Sequence, residues 1–220
     1  MTTPAAYSAK VQILDEAVVD RAVALAGRAD RVVLGIAGEP GAGKTTLTTA
    51  LIEALIARDV PVAWLPMDGF HLGDGCLDAL GLRAHKGAIE TFDGWGYLAA
   101  LRRVLAEPEH PVYIPGFERT LEQPIAADRV IPPGPALILT EGNYLLDETE
   151  PWSLVREVAA EIWYADVPAA IRRARLVERH VAFGKSREAA EAWVAEVDEP
   201  NAERIRARRA HADLIVPIDA

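Results

Sequence analysis

Gly38-Glu39-Pro40-Gly41-Ala42-Gly43-Lys44-Thr45 follows Arg31-Val32-Val33-Leu34-Gly35-Ile36-Ala37 and precedes Thr46-Leu47-Thr48-Thr49-Ala50-Leu51-Ile52-Glu53-Ala54-Leu55. The first flank is apolar and β-branched and reads as a buried strand. The second places Leu47, Leu51, Ala54 and Leu55 at helical spacing. Strand, glycine-rich turn and helix is the context that G-x-x-x-x-G-K-[ST] requires, so the stretch reads as a nucleotide phosphate site. Gly38, Gly41 and Gly43 let the backbone wrap a phosphate chain, with N–H groups pointing inward at the positive end of the following helix. The predicted nucleotide-binding set is Gly38, Glu39, Pro40, Gly41, Ala42, Gly43, Lys44, Thr45 and Thr46. Lys44 can reach the β- and γ-phosphates of ATP, and the Thr45 hydroxyl can ligand Mg²⁺.

Working outward, residues 10–28 carry Val11, Leu14, Val18, Ala22 and Leu25 at spacings of three and four, which predicts an amphipathic helix. Residues 61–66 read as a second strand that finishes in Met67-Asp68-Gly69-Phe70-His71; residues 72–91 read as a functional loop with a short helix. A helix follows over 96–107, stopped by Pro108, then an extended piece at 112–115. The run 119–135 holds Pro124, Pro132, Pro133, Gly134 and Pro135, so it reads as mainly loop, with an edge-type segment near 129–131. Residues 136–140 form a nearly continuous apolar strand of the kind found inside a parallel sheet. After it come a short helix at 152–159, a strand at 161–166, helical stretches at 168–183, 186–197 and 202–211, and a closing strand at 214–218. Strands alternate with helices, which predicts one α/β domain over 1–220: a P-loop NTPase fold, three-layer α/β/α, with a mostly parallel sheet and a helical lid at about 168–197.

The net charge of −10 argues against nonspecific binding to nucleic acid or to anionic membrane, since both need basic surfaces. No apolar run approaches the roughly 20 residues needed to span a bilayer. Cys76 is alone, so no intrachain disulfide can form, and a reducing cytoplasm is the simple expectation.

Leu137-Ile138-Leu139-Thr140-Glu141-Gly142-Asn143 is an apolar strand ending in a carboxylate. In P-loop proteins such a strand lies beside the phosphate-loop strand and offers its acid to the Mg²⁺ shell, so Glu141 joins Thr45 as a predicted metal ligand. Arg172, Arg175 and Arg179 recur at i, i+3 and i+7 on one helix face, followed by Phe183-Gly184-Lys185-Ser186. Together they read as a lid that closes on the transferring phosphoryl, with Arg175 and Arg179 as the catalytic arginines and Gly184 as the hinge. Asp68 ends a strand expected to lie beside the phosphate-loop strand. A carboxylate there can accept the proton of an attacking hydroxyl or join the Mg²⁺ shell. His71, His85, Lys86, Glu118 and Arg119 gather in the segments between strands where an acceptor pocket forms, and could hydrogen-bond a polyhydroxyl or carboxylate substrate. Zinc binding by the two histidines is not expected, as no second ligand pair accompanies them.

The chain resembles the phosphoribulokinase/uridine kinase-like family of small-molecule kinases. The resemblance rests on Gly38 to Thr45, Met67-Asp68-Gly69-Phe70-His71-Leu72, Lys86-Gly87-Ala88-Ile89-Glu90-Thr91-Phe92-Asp93 and Tyr113-Ile114-Pro115-Gly116-Phe117-Glu118-Arg119. It continues through Glu141-Gly142-Asn143-Tyr144-Leu145-Leu146, Arg179-His180-Val181-Ala182-Phe183-Gly184 and Asp198-Glu199-Pro200-Asn201-Ala202. Two positions depart from the family pattern: His85 stands where Arg is usual and Ile89 where Pro is usual. The resemblance implies that Lys44 and Thr45 hold ATP and Mg²⁺ and that Asp68 is the base. It places His71, Lys86, Arg119 and Asn201 around the acceptor, and it suggests a homodimer. The expected activity is phosphoryl transfer from ATP to a hydroxyl of a small metabolite. A fructose-like sugar comes first, with pantothenate or a nucleoside as alternatives. A P-loop NTPase with a binding or regulatory role is the competing class, but its guanine-reading Asn-Lys-x-Asp sequence is absent.

Overall fold

The structure, a computed structural model, describes residues 14–28 and 31–218. The strands are β1 (Val32–Ala37), β2 (Val62–Pro66), β3 (Val112–Glu118), β4 (Gln123–Ile131), β5 (Leu137–Gly142), β6 (Glu161–Asp166) and β7 (Leu214–Pro217). The α-helices are α1 (Glu16–Ala26), α2 (Lys44–Ile56), α3 (Asp74–Leu80), α4 (Gly94–Ala106), α5 (Val155–Val158), α6 (Ala169–Ala182), α7 (Arg187–Trp193) and α8 (Glu199–Arg206). Five strands form one parallel sheet in the order β2-β5-β1-β6-β7. The predicted three-layer α/β/α arrangement is therefore observed. The expected first helix is present from Glu16 with an Asp15 N-cap; its predicted start, including Val11, lies outside the described residues.

β1 is buried at every position because both of its faces are covered. Val32, Leu34 and Ile36 join the cluster under α1 and α2, while Val33 and Ala37 join the opposite cluster with Tyr97, Leu98, Leu101 and Val104 of α4. The same alternation in β5 sends Leu137 and Leu139 one way and Ile138 the other. At the start of β1, Arg31 is buried. Its guanidinium donates to the carbonyls of Val104 at 2.7 Å and Pro135 at 2.9 Å, joining the C-terminus of α4 to the loop before β5.

Two expectations are corrected. Residues 119–135 are not mainly loop. β4 runs over nine residues and pairs antiparallel with β3 in a separate two-stranded ribbon, in which Tyr113 faces Val130. The prolines misled because each sits where a strand tolerates it: Pro124 near the start of β4, Pro132 and Pro133 beyond its end. In addition, β2 does not lie beside β1; β5 stands between them. Trp95 is 57% exposed on α4, whereas Trp152 and Trp163 are buried.

Candidate active site

The sheet register delivers the acidic groups to one place. Ile36 of β1 and Pro66 of β2 both align with Glu141 of β5, so the phosphate loop, Glu141 and the turn after β2 emerge at the carboxyl ends of three adjacent strands. Asp68 sits in that turn, a single 3₁₀ turn over Met67–Phe70. The turn is pressed against β3 so closely that a Cβ on Gly69 would stand 2.2 Å from the Pro115 carbonyl oxygen, which explains why glycine follows Asp68.

In the phosphate loop, Gly41 (φ +78°) and Gly43 (φ +88°) occupy the left-handed region. A Cβ on Gly41 would meet Leu176 at 2.8 Å and the Arg172 carbonyl at 3.0 Å, so the loop lies directly on α6. Lys44 opens α2, is buried, and donates from Nζ to the carbonyls of Gly38 (2.9 Å) and Glu39 (3.0 Å) and to Asn143 Oδ1 (2.7 Å). Burial pulls its pKa down to about 8, opposed by the charges of Glu141 and Asp68, so at neutral pH the ammonium stays charged. Thr45 Oγ1 donates to Glu141 Oε1 at 3.3 Å. Burial, reinforced by the neighbouring Asp68 carboxylate, pushes Glu141 up to about 7.

Asp68 is held the other way. Burial would raise it, but the charge and hydrogen bond of Arg119 together with the charge of Lys44 outweigh burial and keep it below the ordinary carboxylate range. Arg119, one residue past the end of β3, donates from Nη2 to Asp68 Oδ2 at 2.6 Å. Lys86 lies over the Phe117 ring at 5.8 Å and donates to Asp74 Oδ1 at 2.9 Å and to the Glu122 carbonyl.

His71 stacks on Phe92 with ring centroids 3.9 Å apart and leans on Phe117 at 5.0 Å. Its Nδ1 is buried without a hydrogen-bond partner among the described residues. Burial drives the imidazole pKa down to about 4 against the pull of Asp68, so the ring is neutral at pH 7. An unfolded histidine titrates near 6.5, above the folded value, so stability is lost as pH falls through 6.5 towards 4. Between pH 8 and pH 5 the loss from this group is about 2 kcal/mol. His71→Phe, which keeps the stack, is expected to flatten that part of the stability–pH curve in urea titrations. An unchanged slope would place the acid sensitivity elsewhere.

The three arginines of the expected lid separate. Arg172 is completely buried and does not face a transferring group: its Nε stands 2.9 Å from Glu39 Oε2, and Nη2 bonds Glu199 of α8. This corrects the reading of one arginine face, because the first turns of α6 are packed beneath the phosphate loop. Arg175 reaches over the loop, with Nη1 3.6 Å from where a Cβ on Gly43 would stand. Arg179 feels the charges of Arg119, Asp198 and Asp68, and burial lowers its pKa. Gly184 (φ +96°) follows α6 at the turn into α7, with no atom near a Cβ there. Glu39, predicted among the nucleotide contacts, also receives hydrogen bonds from Arg206 (2.7 Å) and Tyr164 (3.2 Å), so its side chain braces the loop from behind. Pro40 and Ala42 are buried within the loop, while Thr45 and Thr46 are exposed at the start of α2. Asn201, expected at the acceptor, uses its amide to donate to the Val197 carbonyl at 3.0 Å. Asn143, which accepts from Lys44, is a functional residue beyond those expected from the motif it ends. Its signal was its place two residues beyond Glu141.

A family model described as methylmalonyl Co-A mutase-associated GTPase MeaB matches residues 1–76 alone, the stretch that ends shortly after Asp68 and holds the phosphate loop. Similarity to individual proteins extends much further. The Escherichia coli uncharacterized protein YggC is 39% identical over 190 residues, spanning 84% of this chain and 77% of its own length. The Schizosaccharomyces pombe protein named "Putative uridine kinase C227.14" is 34% identical over 75% of this chain and 73% of its own. Among solved structures, a "putative fructose transport system kinase" from Silicibacter sp. TM1040 superposes with a TM-score of 0.85 at 34% identity, over 93% of this chain and all of that one.

Proposed function

This chain belongs to the uridine kinase/phosphoribulokinase-like family of ATP-dependent P-loop kinases, and within it we propose an enzyme that moves the γ-phosphoryl of ATP to a hydroxyl of a small metabolite. A fructose-like sugar is the first candidate, followed by pantothenate and nucleosides. The observation that carries the reading is the meeting of Lys44, the Thr45–Glu141 pair and the Asp68–Arg119 pair at the carboxyl ends of three neighbouring strands.

Chemically, the acceptor oxygen bonds to the γ-phosphorus, the bond from that phosphorus to the ADP oxygen breaks, and the hydroxyl proton passes to the Asp68 carboxylate. The loop backbone and Lys44 bind the phosphates, exchanging the lysine's present bonds to Gly38, Glu39 and Asn143 for phosphate oxygens. Arg175 and Arg179 approach from α6 to balance charge that develops during transfer.

The residues fit a magnesium ion. Thr45 and Glu141 offer hard oxygen donors 3.3 Å apart, and a nearby cation would relieve the burial that now raises Glu141. Among the described residues no group of three or more His, Cys, Asp or Glu could hold a metal by itself, so water and phosphate oxygens would have to complete the shell of that ion. That ion would supply charge neutralisation at the phosphates. The lone Cys76 supports a cytoplasmic setting, and among the described residues no helix is long and apolar enough to cross a membrane.

The test is ADP formation by purified protein with Mg²⁺-ATP across sugars, polyols, pantothenate and nucleosides. One acceptor is expected to raise the rate well above acceptor-free hydrolysis, and Lys44→Ala is expected to abolish that rise. The match to a GTPase model over residues 1–76 supports a second reading, a regulatory NTPase. Fast hydrolysis indifferent to every acceptor would favour it.

A further inference from the structure

Asp68 has to accept the acceptor's proton in the reading above, yet its Oδ2 is already engaged by Arg119 at 2.6 Å. A carboxylate bound in that way is a weaker base and has one oxygen blocked. The contact is not sealed inside the protein: the Arg119 side chain is 47% exposed and that of Asp68 26%. Only one guanidinium nitrogen is within bonding distance of Asp68, and the planar fork lies over the face of Phe117 at 5.4 Å. Arg179 stands within electrostatic reach of both partners, so two guanidinium groups draw on the Asp68 charge. Lys86 shares the Phe117 ring but is matched by Asp74.

Resting on the kinase reading, we propose that Arg119 is a catch on Asp68 released by the acceptor itself: a substrate with a carboxylate or phosphate beside its reacting hydroxyl takes the guanidinium onto its own anion and leaves Asp68 facing the hydroxyl. A neutral polyol offers only uncharged oxygens and cannot compete with a charge-assisted bond, so the catch stays closed. A carboxylate or phosphate accepts the guanidinium fork with two parallel bonds, where Asp68 receives one. The substrate class is therefore an anionic hydroxyl compound, a hydroxy acid or a sugar phosphate, which narrows the candidates above to phosphorylated sugars and pantothenate-like acids and sets neutral sugars and nucleosides aside. Arg119 sets specificity and, through Asp68, readiness to react.

Calorimetric binding in the presence of Mg²⁺ and a non-hydrolysable ATP analogue tests this with matched pairs: pantothenol against pantothenate and glycerol against glycerate for carboxylates, fructose against fructose 1-phosphate and 6-phosphate for phosphates. In the wild type an anionic member is expected to bind about 10²-fold more tightly than its neutral partner, and the pair that responds tells carboxylate from phosphate. Arg119→Gln is expected to erase the preference while leaving the melting temperature unchanged, and Arg119→Lys to keep part of it as a point charge without the fork. In turnover, Arg119→Gln raises KM for the anionic acceptor more than it lowers kcat. The proposal is overturned if the neutral member binds as well, if no member of any pair binds, or if the preference survives Arg119→Gln. A neutral acceptor turned over with full dependence on Asp68 would remove the catch and leave the kinase. Arg119-dependent anion binding without phosphoryl transfer to any acceptor would do the reverse.

Discussion

Asp68→Asn is expected to lower kcat for the productive acceptor by about 10² or more while leaving ATP affinity within a few fold. The side chains are nearly isosteric, and the amide oxygen of the substituted side chain can still accept from Arg119, so the turn over Met67–Phe70 and its packing on β3 are kept. What disappears is the capacity to take a proton at the moment the acceptor oxygen attacks. Removing the charge also relieves the repulsion that helps raise Glu141, so metal binding there is expected to be retained or strengthened. The measurement is a steady-state ADP assay on wild type and variant, beside calorimetric binding of a non-hydrolysable ATP analogue. Wild-type turnover in Asp68→Asn would move the base elsewhere, with Glu141 next in line. Loss of nucleotide binding alongside activity would place Asp68 in the metal shell instead.

Arg172→Met is expected to destabilise the protein by about 2–4 kcal/mol. Removing one member of a buried ion cluster strands the others. Glu39 keeps Arg206, and Glu199 keeps Arg173, so part of the cost is recovered by surviving partners. Methionine fills much of the volume, which isolates the electrostatic contribution from a cavity. Arg173→Met supplies the contrast. Arg173 binds the same Glu199, but its side chain is 54% exposed, and an ion pair screened by solvent in that way adds little to stability. Urea denaturation should therefore show a clearly larger loss for Arg172→Met than for Arg173→Met. Equal losses would mean that the Arg172 cluster is no more than an exposed ion pair in effect. Because Arg172 also anchors Glu39 of the phosphate loop, its variant is expected to bind ATP more weakly, an effect Arg173→Met should lack.

Legibility from sequence followed the range of the interactions involved. Gly38 to Thr45 was readable because its geometry comes from residues adjacent in the chain: glycines at positive φ, then a helix whose first residue is Lys44. Glu141 was readable for a related reason, since an apolar run ending in an acid marks the carboxyl end of a buried strand wherever it occurs. The β3–β4 ribbon was half legible. Val112 and Ile114 alternate with Tyr113, but the prolines around β4 concealed a partner strand whose pairing depends on β3.

The arginines show the boundary most clearly. Arg172, Arg175 and Arg179 share one helical face by spacing alone, yet α6 enters the fold with its first turns under the phosphate loop and its last turn within electrostatic reach of Lys44 and Asp68. Identical residue types therefore become a buried strut at Arg172, a side chain over the loop at Arg175, and a charge near Asp68 at Arg179.

By itself the sequence determined the phosphate loop, the strands and helices that carry it, the parallel α/β class and the acidic strand end at Glu141, because each is written in local propensity and periodicity. Tertiary structure alone decided that β5 separates β2 from β1, that Arg172 is buried against Glu39 and Glu199, and that Arg119 closes on Asp68. Those outcomes depend on which surfaces meet when the layers pack, and side chains 51 residues apart carry no local signal that they will touch.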